Sequence, residues 1–203
     1  MTSSSIIKDI QFICATGLAS VAYYYFDFKD TRKQDRRGLL SSLLTQLCTR
    51  SHRGHDILLG LYEAHENGLR QASEDDLIRC LKTVLALPGH GSVYIIMDAV
   101  DESPNFGLPS PREKVLRLIK ELVELRHPNT RVCITSRLEV DIERVVGPLA
   151  SSHIVSLHEE GDQRRDITNY IESVVESDAD MQEWGSGYKQ LVRNTLSRKN
   201  NGM

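Results

Sequence analysis

An α/β fold built on a parallel sheet is predicted for this chain, on three observations. Short runs rich in β-branched and aromatic residues (21–28, 92–98 and 132–134) alternate with longer segments whose apolar residues recur at helical spacing. The run from Val93 to Met97 is continuously apolar, as a strand covered on both faces must be. Strands separated by helices imply a parallel sheet with helices on its faces. No internal repeat of about 20–50 residues breaks the alternation, and 203 residues suffice for one sizeable core with a small appendage.

In chain order, Ile6, Ile7, Ile10 and Ile13 mark an amphipathic helix over Ser4 to Thr16, with Gly17 just past its end. Val21 to Phe28, heavy in tyrosine and closed by charged turn residues, is the first strand. Leu39, Leu40, Leu43, Leu44 and Leu47 stripe a helix over Arg36 to Thr49. Ile57, Leu58, Leu61, Tyr62 and His65 stripe a second, ended by Asn67-Gly68. Ser73, followed three residues on by Asp76, predicts a capped start for a third helix through Leu77, Leu81, Val84 and Leu85. Pro88-Gly89-His90-Gly91 breaks it, and Ser92 to Asp98 is the next strand. Ser103 to Pro111 is a loop, Glu113 to Leu125 a helix, and Val132 to Ile134 a short buried strand ending in Thr135-Ser136-Arg137. Asp141 to Val146 is a short helix stopped by Gly147-Pro148, and His153 to Leu157 a further strand. Two helices, about Arg164 to Glu176 and Gln182 to Ser197, complete the chain. The expected division is a core over 1–160 and a helical extension over 161–203.

Composition removes several function classes. A net charge of -3 without a long basic run gives no electrostatic case for nucleic acid. No stretch approaches the ~18 uninterrupted apolar residues that span a membrane. Lys8 and Asp9 make a poor charged region for a secretory leader, so a cytoplasmic location is expected. Cys14, Cys48, Cys80 and Cys133 are scattered among apolar neighbours and read as free thiols. His52 and His55 lack companions that would complete a zinc site.

The chemistry-bearing segment is Val93-Tyr94-Ile95-Ile96-Met97-Asp98-Ala99-Val100-Asp101-Glu102. In an open α/β sheet, ligands sit beyond the carboxyl ends of the strands. Asp98 ends one strand, Ser136-Arg137 the next, and Asp27 and Lys29 the first, so all are expected at one edge. Phosphoryl transfer requires a carboxylate to fix Mg²⁺, a group to orient water and a cation to stabilise developing charge. Asp98 suits the first role, Asp101 and Glu102 the second, Arg137 the third. A turn or capping role is the alternative for Asp98, and a surface pair with Glu139 for Arg137. The sequence has no Gly-Lys dipeptide, hence no phosphate loop of the G-x-x-x-x-G-K-[ST] type. Pro88 to Ser92 does not replace it, because it precedes a strand instead of following one and opening a helix.

Together these pieces resemble the NACHT-type P-loop NTPase core of STAND signalling proteins, and especially the nephrocystin-3-like N-terminal domain abundant in filamentous fungi. The resemblance rests on Ala22 to Asp30, on Leu39 to Leu47, and on Val93 to Glu102, which is similar to an extended Walker B segment. It rests also on Val132 to Arg137, similar to a sensor-1 strand, and on His153 to Val175 with Asp166-Ile167 and Tyr170-Ile171.

The resemblance implies a switch that binds and hydrolyses ATP or GTP with Mg²⁺ and assembles with itself or with related NACHT proteins. Asp98 would be the Mg²⁺-associated aspartate, Asp101 and Glu102 would polarise water, and Arg137 would sense the γ-phosphate. In the family, a first strand and the phosphate loop lie immediately before the helix that begins here near Ser4. The expectation is therefore a P-loop-like three-layer core missing its first strand and phosphate loop, cut short at both ends, aggregation-prone and nearly without ATPase. Each lost charge-assisted hydrogen bond to phosphate removes roughly 1.5–3 kcal/mol, so lysine and one amide together amount to ~10²-fold or more in affinity. The alternative reading is a non-enzymatic module that binds longer relatives and modulates their assembly.

Overall fold

Three parallel strands organise the computed structural model, which describes residues 3–14, 19–49, 51–88, 91–149 and 161–199. They are β1 (Ala19–Tyr25), β2 (Ser92–Asp98) and β3 (Thr130–Ile134), in the order β1-β2-β3. Ala19 faces Ser92 and Tyr25 faces Asp98 in the first ladder; Val93 faces Thr130 and Met97 faces Ile134 in the second. The carboxyl ends of all three strands therefore finish level with one another. The α/β class and the parallel sheet are as the sequence predicts.

The helices on the sheet follow from local chemistry. α1 (Ser3–Cys14) lays Ile6, Ile7, Ile10 and Cys14 against Val21 and Ile96, with Tyr23, Tyr25, Tyr94 and Cys133 around them. Ile13, expected in that stripe, is exposed, because a stripe through Ile6, Ile10 and Cys14 recurs every fourth residue and turns it outward. The other face of the sheet carries α2 (Arg36–Cys48), α3 (His52–Ala64), α4 (Glu74–Leu85) and α5 (Pro111–Glu124). Buried leucines, isoleucines and valines of α2, α4 and α5 form one core with Ala22, Tyr24, Phe26, Val93, Ile95 and Met97, and Ile57, Leu58 and Leu61 of α3 pack against it half-buried. Alternation along β1 and β2 thus feeds two opposite layers, and β2 is covered on both sides.

The helix starts are written in the sequence. The Asp35 carboxylate accepts the Gly38 amide at 2.8 Å, and the Ser51 hydroxyl accepts that of Gly54 at 3.2 Å. Ser73 and Asp76 form a reciprocal capping box. Ser110 caps α5, with Pro111 at its first position. Gly38 is required by close approach: a Cβ there would meet the Arg32 carbonyl oxygen at 2.6 Å and the Tyr24 hydroxyl at 2.7 Å.

Several boundaries differ from expectation. β1 ends at Tyr25 and not Phe28: the Phe26 amide makes a last bond to the Asp98 carbonyl at 3.0 Å, and the Asp27 carboxylate then accepts the Lys29 amide at 2.8 Å, turning the chain. β3 is partly exposed where a buried strand was expected, since among the described residues it has a neighbour on one side only. α6 (Val140–Val146) follows it. The strand expected over His153 to Leu157 lies outside the described residues, as does Gly17.

Contacts divide the chain into Met1–Ser151 and Ser152–Met203. The second unit contains α7 (Gly161–Ser177), α8 (Ala179–Gln182) and α9 (Ser186–Lys199). Ile171 and Val175 of α7 are buried, and Arg193 of α9 pairs with Glu176 of α7 at 2.5 Å. The final helix begins at Ser186 and not at Gln182, after a turn in which the Trp184 amide bonds to the Met181 carbonyl, and the short α8 ahead of it was not expected from sequence. Among the described residues no helix is long and apolar enough to cross a membrane.

Candidate functional site

At the carboxyl rim the chain after β2 folds back over the end of β3. Ala99 adopts φ 55° and ψ 49°, a left-handed conformation rare for a residue with a Cβ. Its amide donates to the Thr135 hydroxyl oxygen at 3.0 Å, and the Val100 amide donates to the Thr135 carbonyl at 3.0 Å. The Thr135 hydroxyl in turn donates to the Asp98 carboxylate. Asp98 and Thr135 therefore act as a unit across the ends of β2 and β3. Thr135 was not among the residues singled out from sequence, since only strand pairing reveals that it lies opposite Asp98.

The next two carboxylates have partners. Asp101 sits in the helical turn Val100–Glu102 and is nearly enclosed, its side chain 8% exposed. One of its oxygens accepts the Arg137 amide at 3.0 Å, and the other lies 3.4 Å from Arg137 Nε. The rest of Arg137 is open to solvent, its side chain 77% exposed. The pairing with Glu139 considered from sequence is replaced by this one. Glu102 Oε2 accepts the Phe28 amide at 3.1 Å, tying the turn after β2 to the turn after β1.

Asp98, Asp101, Glu102 and Arg137 are thus brought to one rim, together with the turn bearing Asp27 and Lys29. Lys29 lies over the Phe28 ring at 5.4 Å, and Phe28 is exposed.

Beneath the rim is Arg112, a buried cation that the sequence reading passed over. Its guanidinium donates to the Asp101 carbonyl, to the Ser103 carbonyl at 2.9 Å, and toward the Asp141 carboxylate at 3.4 Å. Asn105 Nδ2 donates to the same carboxylate at 3.1 Å. The Ser103 hydroxyl continues the brace to the Gln34 carbonyl at 2.7 Å. A signal for Arg112 exists in the sequence: it follows Pro111 in the first turn of a helix, where the macrodipole favours acids. A cation placed against that preference is engaged elsewhere.

Electrostatics links Asp98 to a neighbouring thiol. Burial, and after it the Asp98 carboxylate, push the Cys133 thiol above its ordinary range. Burial does the same to Cys48, pushed up to about 11 with Cys80 contributing, and to Cys80. All four cysteines are free, as the sequence suggests.

No group of three His, Cys, Asp or Glu side chains able to hold a metal occurs among the described residues. Mg²⁺ in phosphate-binding sites uses one or two carboxylates together with water and substrate oxygens. One strand-end carboxylate with a hydroxyl beside it fits that donor set, and a cage built from protein alone does not.

Comparison with curated proteins and with solved structures returned no match. The family described as Nephrocystin 3, N-terminal matches residues 1–137, a span holding all three strands, α1 to α5 and every rim residue named above except Asp141. With two thirds of its length matched in this way, the chain belongs to the nephrocystin 3 N-terminal family, a NACHT-related group.

Proposed function

We propose that this chain contributes the acidic rim of a nucleotide-dependent STAND-type switch, with Asp98 directed at Mg²⁺ and Arg137 at the phosphates of ATP or GTP. The observation that carries this reading is the Asp98–Thr135 unit at the level carboxyl ends of β2 and β3, where open α/β sheets take their ligands. Bound Mg²⁺ would neutralise phosphate charge. Asp98 would hold the ion, Thr135 would fix the carboxylate's orientation, and Glu102 would orient water once released from the Phe28 amide. Without a Gly-Lys pair the 203-residue sequence has no phosphate-loop lysine, so nucleotide is held weakly and not turned over.

Calorimetric titration of the purified chain with Mg-ATP and Mg-GTP, with Asp98→Asn alongside, tests this. Binding at least ~10²-fold weaker than at a site with a complete phosphate loop is expected, and Asp98→Asn abolishes it. Equal heats from both proteins overturn the role of Asp98. Turnover that Glu102→Gln removes overturns the inactivity of the chain.

A second reading has its own support. Asp101 and Glu102 already serve as braces between loops, as a module that binds longer NACHT relatives without chemistry would use them. Light scattering of the chain mixed with such a relative, showing a mixed species unaffected by Asp98→Asn, favours this reading over the first.

A further inference from the structure

The geometry points to the Asp101–Arg137 pair as an autoinhibitory contact: Asp101 holds an arginine of the rim's surface away from ligand, and a polyphosphate must displace it to bind. This rests on the reading of the rim as a phosphate site and adds how that site is regulated. The asymmetry of the pair carries the inference. Asp101 is fixed: its side chain is 8% exposed, it accepts the Arg137 amide at 3.0 Å, and Arg112 anchors its carbonyl from below. The Arg137 side chain is open by comparison, 77% exposed, with its Nε 3.4 Å from Asp101. An ion pair whose cation is this open to solvent is screened and weak, whereas a guanidinium on phosphate makes short, bidentate, charge-assisted bonds. Arg137 can therefore change partners while its backbone stays pinned to Asp101. The exchange leaves the Asp101 carboxylate facing the ligand's negative charge unless a cation accompanies it. Polyanion without metal is opposed by Asp101, and polyanion with metal is not. The contact thus makes the rim selective for metal-complexed phosphate chains.

Isothermal titration with inorganic tripolyphosphate, free of metal, tests the inference. Asp101→Asn keeps an oxygen for the Arg137 amide but removes the charge, and it is expected to bind tripolyphosphate about fivefold more tightly than the wild type. Glu102→Gln removes a charge one residue away that Arg137 does not touch, and is expected to gain much less. In Asp101→Asn/Arg137→Gln the gain disappears. Equal gains from Asp101→Asn and Glu102→Gln, a gain that survives Arg137→Gln, or no binding by Asp101→Asn each overturn the inference. Should Asp101→Asn not fold, the Arg137 Nε–H resonance of the wild type, identified by its loss in Arg137→Gln, is expected to move on adding tripolyphosphate; an unmoved resonance overturns the inference. The role of Asp98 is read separately, from Mg-nucleotide titration of Asp98→Asn, so either conclusion can fail without the other.

Discussion

Ala99 concentrates the local strain of the rim. A left-handed backbone costs an ordinary residue roughly 1–2 kcal/mol, and here it is held by the two bonds from Ala99 and Val100 to Thr135. Strain kept in place by its surroundings gathers at functional sites. A β-branched side chain suits this conformation still less, so Ala99→Val is expected to lower stability by about 1–3 kcal/mol in urea unfolding. Cys133 offers a second residue-scale reading, because its thiol reports the charge on Asp98. The thiolate is disfavoured first by burial and then by the Asp98 carboxylate. Asp98→Asn removes only the second cause, lowers the thiol toward its ordinary range and increases the thiolate fraction at a given pH. Alkylation of Cys133, followed by peptide mass spectrometry, is expected to speed up on the order of a few-fold, with Cys48 and Cys80 unaffected.

Among the elements, the α4 capping box makes a measurable contribution. The Asp76 carboxyl is held well below the usual range by the Ser73 hydroxyl first, then the Ser73 amide, then Arg79, with His65 also contributing. A carboxylate lowered in the folded chain stabilises it fully above the ordinary carboxylate range, and that contribution is lost as pH falls through the range toward the lowered value. Ser73→Ala removes the largest cause and the cap together. It is expected to cost about 1 kcal/mol near neutral pH, and the gap to wild type to narrow below about pH 4, as read by thermal melts across pH. This box was legible from Ser73 and Asp76 alone, as were α2 from its leucines and β2 from its apolar run, because each signal is local. The partner of Arg137, the bond from Phe28 to Glu102 and the place of Thr135 were not. They join residues 36, 74 and 37 positions apart, and nothing in a one-dimensional pattern fixes which strand ends meet. The start of the last helix, Ser186 and not Gln182, was missed for the opposite reason, since periodicity alone carries across a short turn.

At the scale of the molecule, the family match covers residues 1–137, and within that span the rim gathers from three separate loops. The chain combines a well-braced acidic edge with a sequence that has no Gly-Lys pair. The bracing is independent of any ligand: Arg112, Ser103 and Gln34 join the turn after β2 to its surroundings through main-chain carbonyls. A scaffold of this kind can keep its shape whether or not nucleotide is bound, and both proposed readings require that.

The ladder between β1 and β2 has a consequence for how the protein is made. Ala19 pairs with Ser92, so β1 leaves the ribosome some seventy residues ahead of the strand that completes it. During that interval α2, α3 and α4 can form locally and cover one face of β1, while its hydrogen-bonding edge stays open. Parallel pairings at such separations are slow to close and expose sticky edges meanwhile. The acidic rim draws on the ends of all three strands, so it cannot take shape before they are aligned.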